Sequence, residues 1–146
     1  MRQSIRARRP AAEARQGIAV KVVIAACAAS AGAHAGLVPE HLREAPQLGI
    51  AFILASALLL AVVAALASCP EDRRIARVAA LLLTGVIASW GASRVTGIPL
   101  LQPRPEPVDL VGLVTTLVEV LGLVFALWLS QPVGGHRSPA IQEVSR

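Results

Sequence analysis

The chain has 146 residues, 55% of them hydrophobic and 16% charged, with a formal net charge of +5. A soluble domain of this length carries about a quarter of its residues as Asp, Glu, Lys and Arg, and here the charges are segregated from long uncharged runs. Composition therefore argues against a soluble enzyme, and the positive balance, which comes from helix flanks, does not call for nucleic acid.

A hydrocarbon core of roughly 30 Å takes about 20 mostly apolar residues to cross as a helix, and four stretches qualify. Residues 1–16 precede them. They hold Arg2, Arg6, Arg8, Arg9 and Arg15 and are expected to be a disordered cytoplasmic tail resting on anionic headgroups. The first span runs from about Ile18 to Val38. A basic flank and the small-residue "AHA" resemble a cleavable signal peptide, but the apolar run is long and Lys21 lies inside it. A retained helix with Lys21 snorkelling to the inner interface is the preferred reading. "AACAASAGAHAG" within it is almost all small residues, which let helix backbones approach closely. Cys27 falls near mid-membrane and Cys69 at the inner face, so the two are not expected to pair. There is no CxxC motif of the thiol oxidoreductase kind.

Pro39 and Pro46 bracket the next segment. Pro39 suits the first position of a helix, so "EHLREA" is expected to be a separate interfacial turn after span one. Span two, about Leu48 to Ser68, has no charged residue. The turn "CPEDRRIAR" follows, with Asp72 placed to cap span three. Span three runs from about Ala76 to Pro99, with Arg94 near its outer end. "IPLLQPRPEPVD" holds four prolines and is expected to be stiff and to lie across the outer face. Span four covers about Leu110 to Ser130. Gly112, Thr115, Thr116, Glu119 and Gly122 share one of its faces, which is expected to pack inward against span one. Trp90 and Trp128 are expected near opposite interfaces. Residues 132–146 form a polar tail. The whole is an all-α, up-down bundle of four transmembrane helices over residues 17–131. Arg and Lys concentrate at one end, which places both termini in the cytoplasm by the positive-inside rule, in a multi-pass protein of the cell membrane.

The polar groups are informative because lipid penalises them. Glu119 sits near the bilayer centre, where an ionised carboxylate costs on the order of 3 kcal/mol. It is either a relay for protons or cations, or a hydrogen-bonded tie between helices. Arg94 is expected to snorkel outward or to pair with Glu106, Asp109 or Glu44. His34 and His41 are seven apart and would share a face of one continuous helix. Pro39 argues against that continuity. Glu40 and Glu44 flank His41. With Glu44, the two histidines have the donor types of a metal or haem site, but the spacing matches no established metal motif. The plainer reading is an interfacial polar turn. His34, Glu40, His41, Glu44, Arg94, Glu106 and Asp109 all fall at the outer end, with Glu119 beneath them, so any site opens outward.

Two stretches, "HAGLVPEHLREAPQLGIAFILAS" and "SRVTGIPLLQPRPEPVDLVGLVTTLVEV", resemble a group of small four-helix integral membrane proteins of high-GC Gram-positive bacteria. The resemblance rests on His34, His41 and Glu44 as an H…H-x-x-E element. It rests also on Ser93, Arg94, Gly97 and Pro99 leading to Glu106 and Glu119. It implies the four-helix membrane fold and no particular activity. "LLQPR" departs from the Gly-Pro-rich turn of that group.

Three functions are in view. The first is a non-enzymatic accessory or self-assembling subunit, whose partner in the bilayer is a second copy or another membrane subunit. The second is a proton-coupled transporter or channel component using Glu119. The third is a metal- or haem-binding redox subunit using His34 and His41. The absence of a nucleophile–base pair or nucleotide motif favours the first over any enzyme.

Overall fold

A computed structural model describes the backbone of residues 3–99, 101 and 103–131, with their side chains from residue 13 onward. The described residues form four helices: α1 (Gln3–Glu44), α2 (Pro46–Ser68), α3 (Arg73–Val95) and α4 (Leu110–Ser130). Each contains a stretch long and apolar enough to cross a membrane, that of α1 lying within Glu13–Glu44. The tail expected over 132–146 lies outside the described residues.

Local chemistry explains most of the boundaries. Asp72 caps α3, its Oδ1 accepting from the Arg74 N–H at 2.8 Å. Asp109 caps α4 in the same way, accepting from the Gly112 N–H at 2.6 Å. Each satisfies a donor that the first turn of a helix leaves unpaired. Helix α3 ends at Val95, short of the expected Pro99, because Gly97 takes a φ of 73° and turns the chain out of the helix. Hydroxyls inside the helices fold back onto their own backbone. Thr84 Oγ1 donates to the Ala80 carbonyl at 2.8 Å, and Ser89 Oγ to the Gly85 carbonyl at 2.8 Å. Such back-bonding satisfies a helical hydroxyl without any partner from outside the helix.

The first helix departs from expectation at both ends. It begins at Gln3, so the basic segment expected to be a disordered tail is helical from that residue. It also continues through Pro39 to Glu44. The expected separate turn over "EHLREA" is therefore its last part. Pro39 removes one N–H bond without ending the helix. The chain breaks at Ala45 instead, which has an extended φ of −144°, and Pro46 opens α2 at a position where a missing N–H costs nothing.

Neighbouring helices run antiparallel. On α1 and α2, His41 and His34 meet Phe52, and Ala31 meets Ser56. On α1 and α4, Ser30 meets Glu119, and Ala26 lies against Gly122. On α3 and α4, Trp90 lies against Gly112, and Leu83 against Gly122. One number rises as the other falls in every pair, which is up-down order. Helix α1 is wedged between α2 and α4, and α3 packs mainly on α4, leaving the α2–α3 seam thin. The α1–α2 turn and the α3–α4 connection share one end of the bundle (the distal end). The turn over 69–72 and the end of α4 share the other.

The apolar core fills the half away from the distal end. It is built from Val23 and Cys27 of α1, Leu59 and Leu66 of α2, Leu83 of α3 and Ala126 of α4. Gly122 admits the close approach of α1 here. A Cβ at that position would lie 2.6 Å from Ala26 Cβ. The small face expected on α4 packs inward, while Leu117, Val120, Leu121, Val124 and Trp128 lie exposed on the opposite face. Cys27 is buried, Cys69 is exposed, and both are free thiols.

Candidate functional site

The distal half of the bundle is open rather than packed. A cavity of about 550 Å³ descends between the helices there. Ligand sites for small molecules are commonly clefts of about 300–1,000 Å³. All eight residues singled out from the sequence line it: His34, Glu40, His41 and Glu44 from α1, Arg94 from α3, Glu106 and Asp109 from the α3–α4 connection, and Glu119 from α4.

Glu119 forms the floor, ten residues into α4 and only 2% exposed. Ser30 Oγ donates to its Oε1 at 2.6 Å, and Ser30 is itself fully buried. Ser30 then leads to His34, one turn further along α1. His34 Nδ1 lies 2.8 Å from the Ser30 carbonyl oxygen and 3.4 Å from Ser30 Oγ. A carbonyl oxygen only accepts, so Nδ1 carries the hydrogen and Nε2 is left as the free ring nitrogen. His41 repeats the geometry, with Nδ1 2.9 Å from the Leu37 carbonyl. Both rings meet Phe52 of α2 edge to face, with centroids 5.3 Å and 4.7 Å apart. The continuity of α1 through Pro39 is what stacks the two histidines on one face.

Arg94 organises the opposite wall. Its Nη1 donates to Glu106 Oε2 at 2.9 Å and to the Pro107 carbonyl at 2.7 Å, and its Nη2 donates to Asp109 Oδ2 at 2.8 Å. A planar guanidinium suits this fan of acceptors. Of the three acids named as its candidate partners, Glu106 and Asp109 are engaged in these ion pairs. Glu44 is not. The Glu106 N–H also donates to the Ser93 carbonyl at 3.0 Å. The proline-rich connection is thereby clamped down across the cavity mouth, as its stiffness led one to expect.

Trp90 faces inward. It lines the cavity beneath Arg94, whose Cζ lies 5.5 Å from the ring centroid. Its indole lies against Gly112, where a Cβ would come within 2.5 Å of Nε1. Trp90 Nε1 and Arg94 Nε are buried without acceptors. The close approach to Gly112 sets the indole against α4, near the distal end of that helix.

Ser30 and Phe52 are the site residues that sequence reasoning missed. Ser30 was hidden in a run of small residues read as packing. Its signal was the four-residue interval to His34, which on a helix puts both on one face. Phe52 had no comparable signal.

Electrostatically the cavity is acidic. Glu40, Glu44, Glu106, Asp109 and Glu119 face one guanidinium, and Arg94 spends its charge on Glu106 and Asp109. Among the described residues no group of three or more His, Cys, Asp and Glu is arranged to hold a metal ion. The two histidines with Glu44 do not assemble into the ligand set considered from the sequence.

Comparison with family models, with curated proteins and with solved structures finds no match to this chain.

Proposed function

We propose that the protein is a multi-pass membrane protein that exchanges a small solute against protons, with Glu119 as the proton-carrying group. The observation that carries this reading is the Ser30–Glu119 hydrogen bond at the floor of a solute-sized cavity. A carboxyl used only as a tie between helices needs no open space above it. This one is buried, joined through Ser30 to His34, and reached from the distal half of the bundle alone. The opposite half is closed by the apolar core.

The arrangement supplies the parts that exchange requires. Glu119 holds a proton or a solute's charge in a poorly solvated place, where leaving either unpaired is costly. Ser30 Oγ, 2.6 Å from the carboxyl and 3.4 Å from His34 Nδ1, joins the carboxyl to the imidazole in one polar chain. The basic residues of the N-terminal segment and of the start of α3 (Arg73, Arg74 and Arg77) favour the cytoplasm for their end of the bundle, which turns the cavity outward. We place the chain in the cell membrane on the same ground. A role as a self-assembling subunit fits the small-residue faces, of which Ala26 and Gly122 are used between α1 and α4 while Ala28, Gly32 and Gly36 of α1 stay exposed, but it gives the open cavity above Glu119 no role.

The test is a proton signal in proteoliposomes holding a pH-sensitive dye and an acidic interior. Sodium, tetraphenylphosphonium, glycine and glucose are added outside in turn. The reading expects internal alkalinisation with at least one solute, lost in Glu119→Gln. No signal with any solute, or equal signals in both proteins, overturns it.

A further inference from the structure

We propose that the solute is a lipophilic organic cation bearing a single positive charge, held with Glu119 as its counter-charge. This rests on the exchange reading above and adds the chemical class.

Charge is the first argument. Arg94 is matched by Glu106 and Asp109, so it neutralises nothing else in the cavity. Glu40, Glu44 and Glu119 make no ion pair among the described residues. The first two lie at the exposed mouth, where they raise the local concentration of cations. Only Glu119 lies at depth. One carboxylate in a poorly solvated site balances one charge, so a divalent ion is left half-compensated. An anionic solute meets uncompensated carboxylates from mouth to floor.

Size and lining give the second argument. About 550 Å³ is far more than a bare metal ion fills, and no three-ligand group gathers among the described residues to strip its water. Between the charged mouth and Glu119 the walls carry Leu48, Phe52 and Ala55 on one side and Val86 and Trp90 on the other. Apolar and aromatic walls take a cation only if it brings apolar surface of its own. Aromatic rings then add to its stabilisation in a desolvated place.

The route of access is the third. The α2–α3 seam is thin, and residues of α2 and α3 face each other across the cavity. A solute already dissolved in the outer leaflet reaches the site between those helices as well as from the mouth. Hydrophilic cations have only the mouth.

The experiment is equilibrium binding of tetraphenylphosphonium to the full-length protein in mild detergent, beside its neutral isostere triphenylphosphine oxide. The expected result is saturable one-to-one binding of the cation, at least tenfold weaker in Glu119→Gln and retained in Glu119→Asp. The neutral analogue should bind at least tenfold more weakly than the cation. Protection of Glu119 from a hydrophobic carbodiimide by the bound cation, read by intact mass, gives a second measure on the wild-type protein alone. Equal binding of the neutral analogue, binding unaffected by Glu119→Gln, or no protection overturns the assignment. The two readings fail separately. Cation binding without coupled proton flux overturns the exchange function and leaves the solute class standing. Proton flux driven by glycine or glucose, with no tetraphenylphosphonium binding, does the reverse.

Discussion

Ser30 and Glu119 lie 89 positions apart in the chain and share a 2.6 Å hydrogen bond in the interior of the bundle. The bond joins α1 to α4 at the depth where the packed half gives way to the cavity. Ser30→Ala removes the donor and leaves a buried carboxyl oxygen unpartnered, at a cost of about 1–3 kcal/mol. Glu119→Gln keeps an oxygen that accepts the same bond and should cost less than about 1 kcal/mol. Thermal unfolding in detergent should rank Ser30→Ala as the less stable of the two. The opposite order would show that the bond does not hold the helices together.

The two glycines of α4 should respond unequally. At Gly122 a new Cβ meets Ala26 Cβ, which is fixed to its backbone, and Leu83 Cδ1 at 3.2 Å. Gly122→Ala must push α1 and α4 apart, costing about 1–3 kcal/mol. At Gly112 the nearest atom belongs to the far end of the Trp90 side chain, which can swing. Gly112→Ala should cost less stability but shift the fluorescence of Trp90. Trp128→Phe serves as the background, leaving Trp90 as the one indole to be read. An unchanged emission spectrum would contradict the contact.

Arg94 is expected to control the order of the α3–α4 connection. Arg94→Lys keeps the charge but cannot span Glu106, the Pro107 carbonyl and Asp109 together. Hydrogen exchange should then rise at Glu106, whose N–H is held by the Ser93 carbonyl. Exchange in the α1–α2 hairpin should not move. Unaltered protection at Glu106 in the variant means that the prolines, and not the arginine, hold the segment.

The cysteines read the orientation. Cys69 is exposed in the turn between α2 and α3, and Cys27 is buried in the core. A membrane-impermeant maleimide should label Cys69 in inside-out vesicles and spare it in intact cells. Cys27 should stay unlabelled in both. Labelling of Cys69 on intact cells reverses the assignment and turns the cavity to the cytoplasm.

The histidines make a negative prediction. Purified protein should carry no stoichiometric transition metal, since their ring nitrogens find no third ligand among the described residues. A metal or a haem band lost in His34→Ala/His41→Ala would restore the redox reading.

Hydropathy made the four helices legible in the sequence, because an apolar run of about 20 residues matches the thickness of a bilayer and exceeds what a small soluble core can bury. The small face of α4 was legible for a related reason, since helical spacing fixes which residues stand together. The Asp72 cap and the pairing of Arg94 followed from local chemistry. The continuity of α1 through Pro39 did not. A proline costs a helix one bond and a local clash, and the packing of α1 between α2 and α4 outweighs that cost in a way no local rule reports. The inward placement of Trp90 was hidden for the same reason, since it depends on Gly112 arriving beside it from another helix. The polar residues were identifiable one at a time. That they enclose a common volume was not, because distance along the chain says nothing about empty space.

The single residue between α1 and α2 has a mechanical consequence. Ala45 leaves no slack between those two helices. The α3–α4 connection spans 96–109 and carries all the spare length at the distal end. Whatever length the distal end has in reserve therefore lies in that connection and not in the α1–α2 hairpin. Arg94 ties that length to α3 through Glu106 and Asp109.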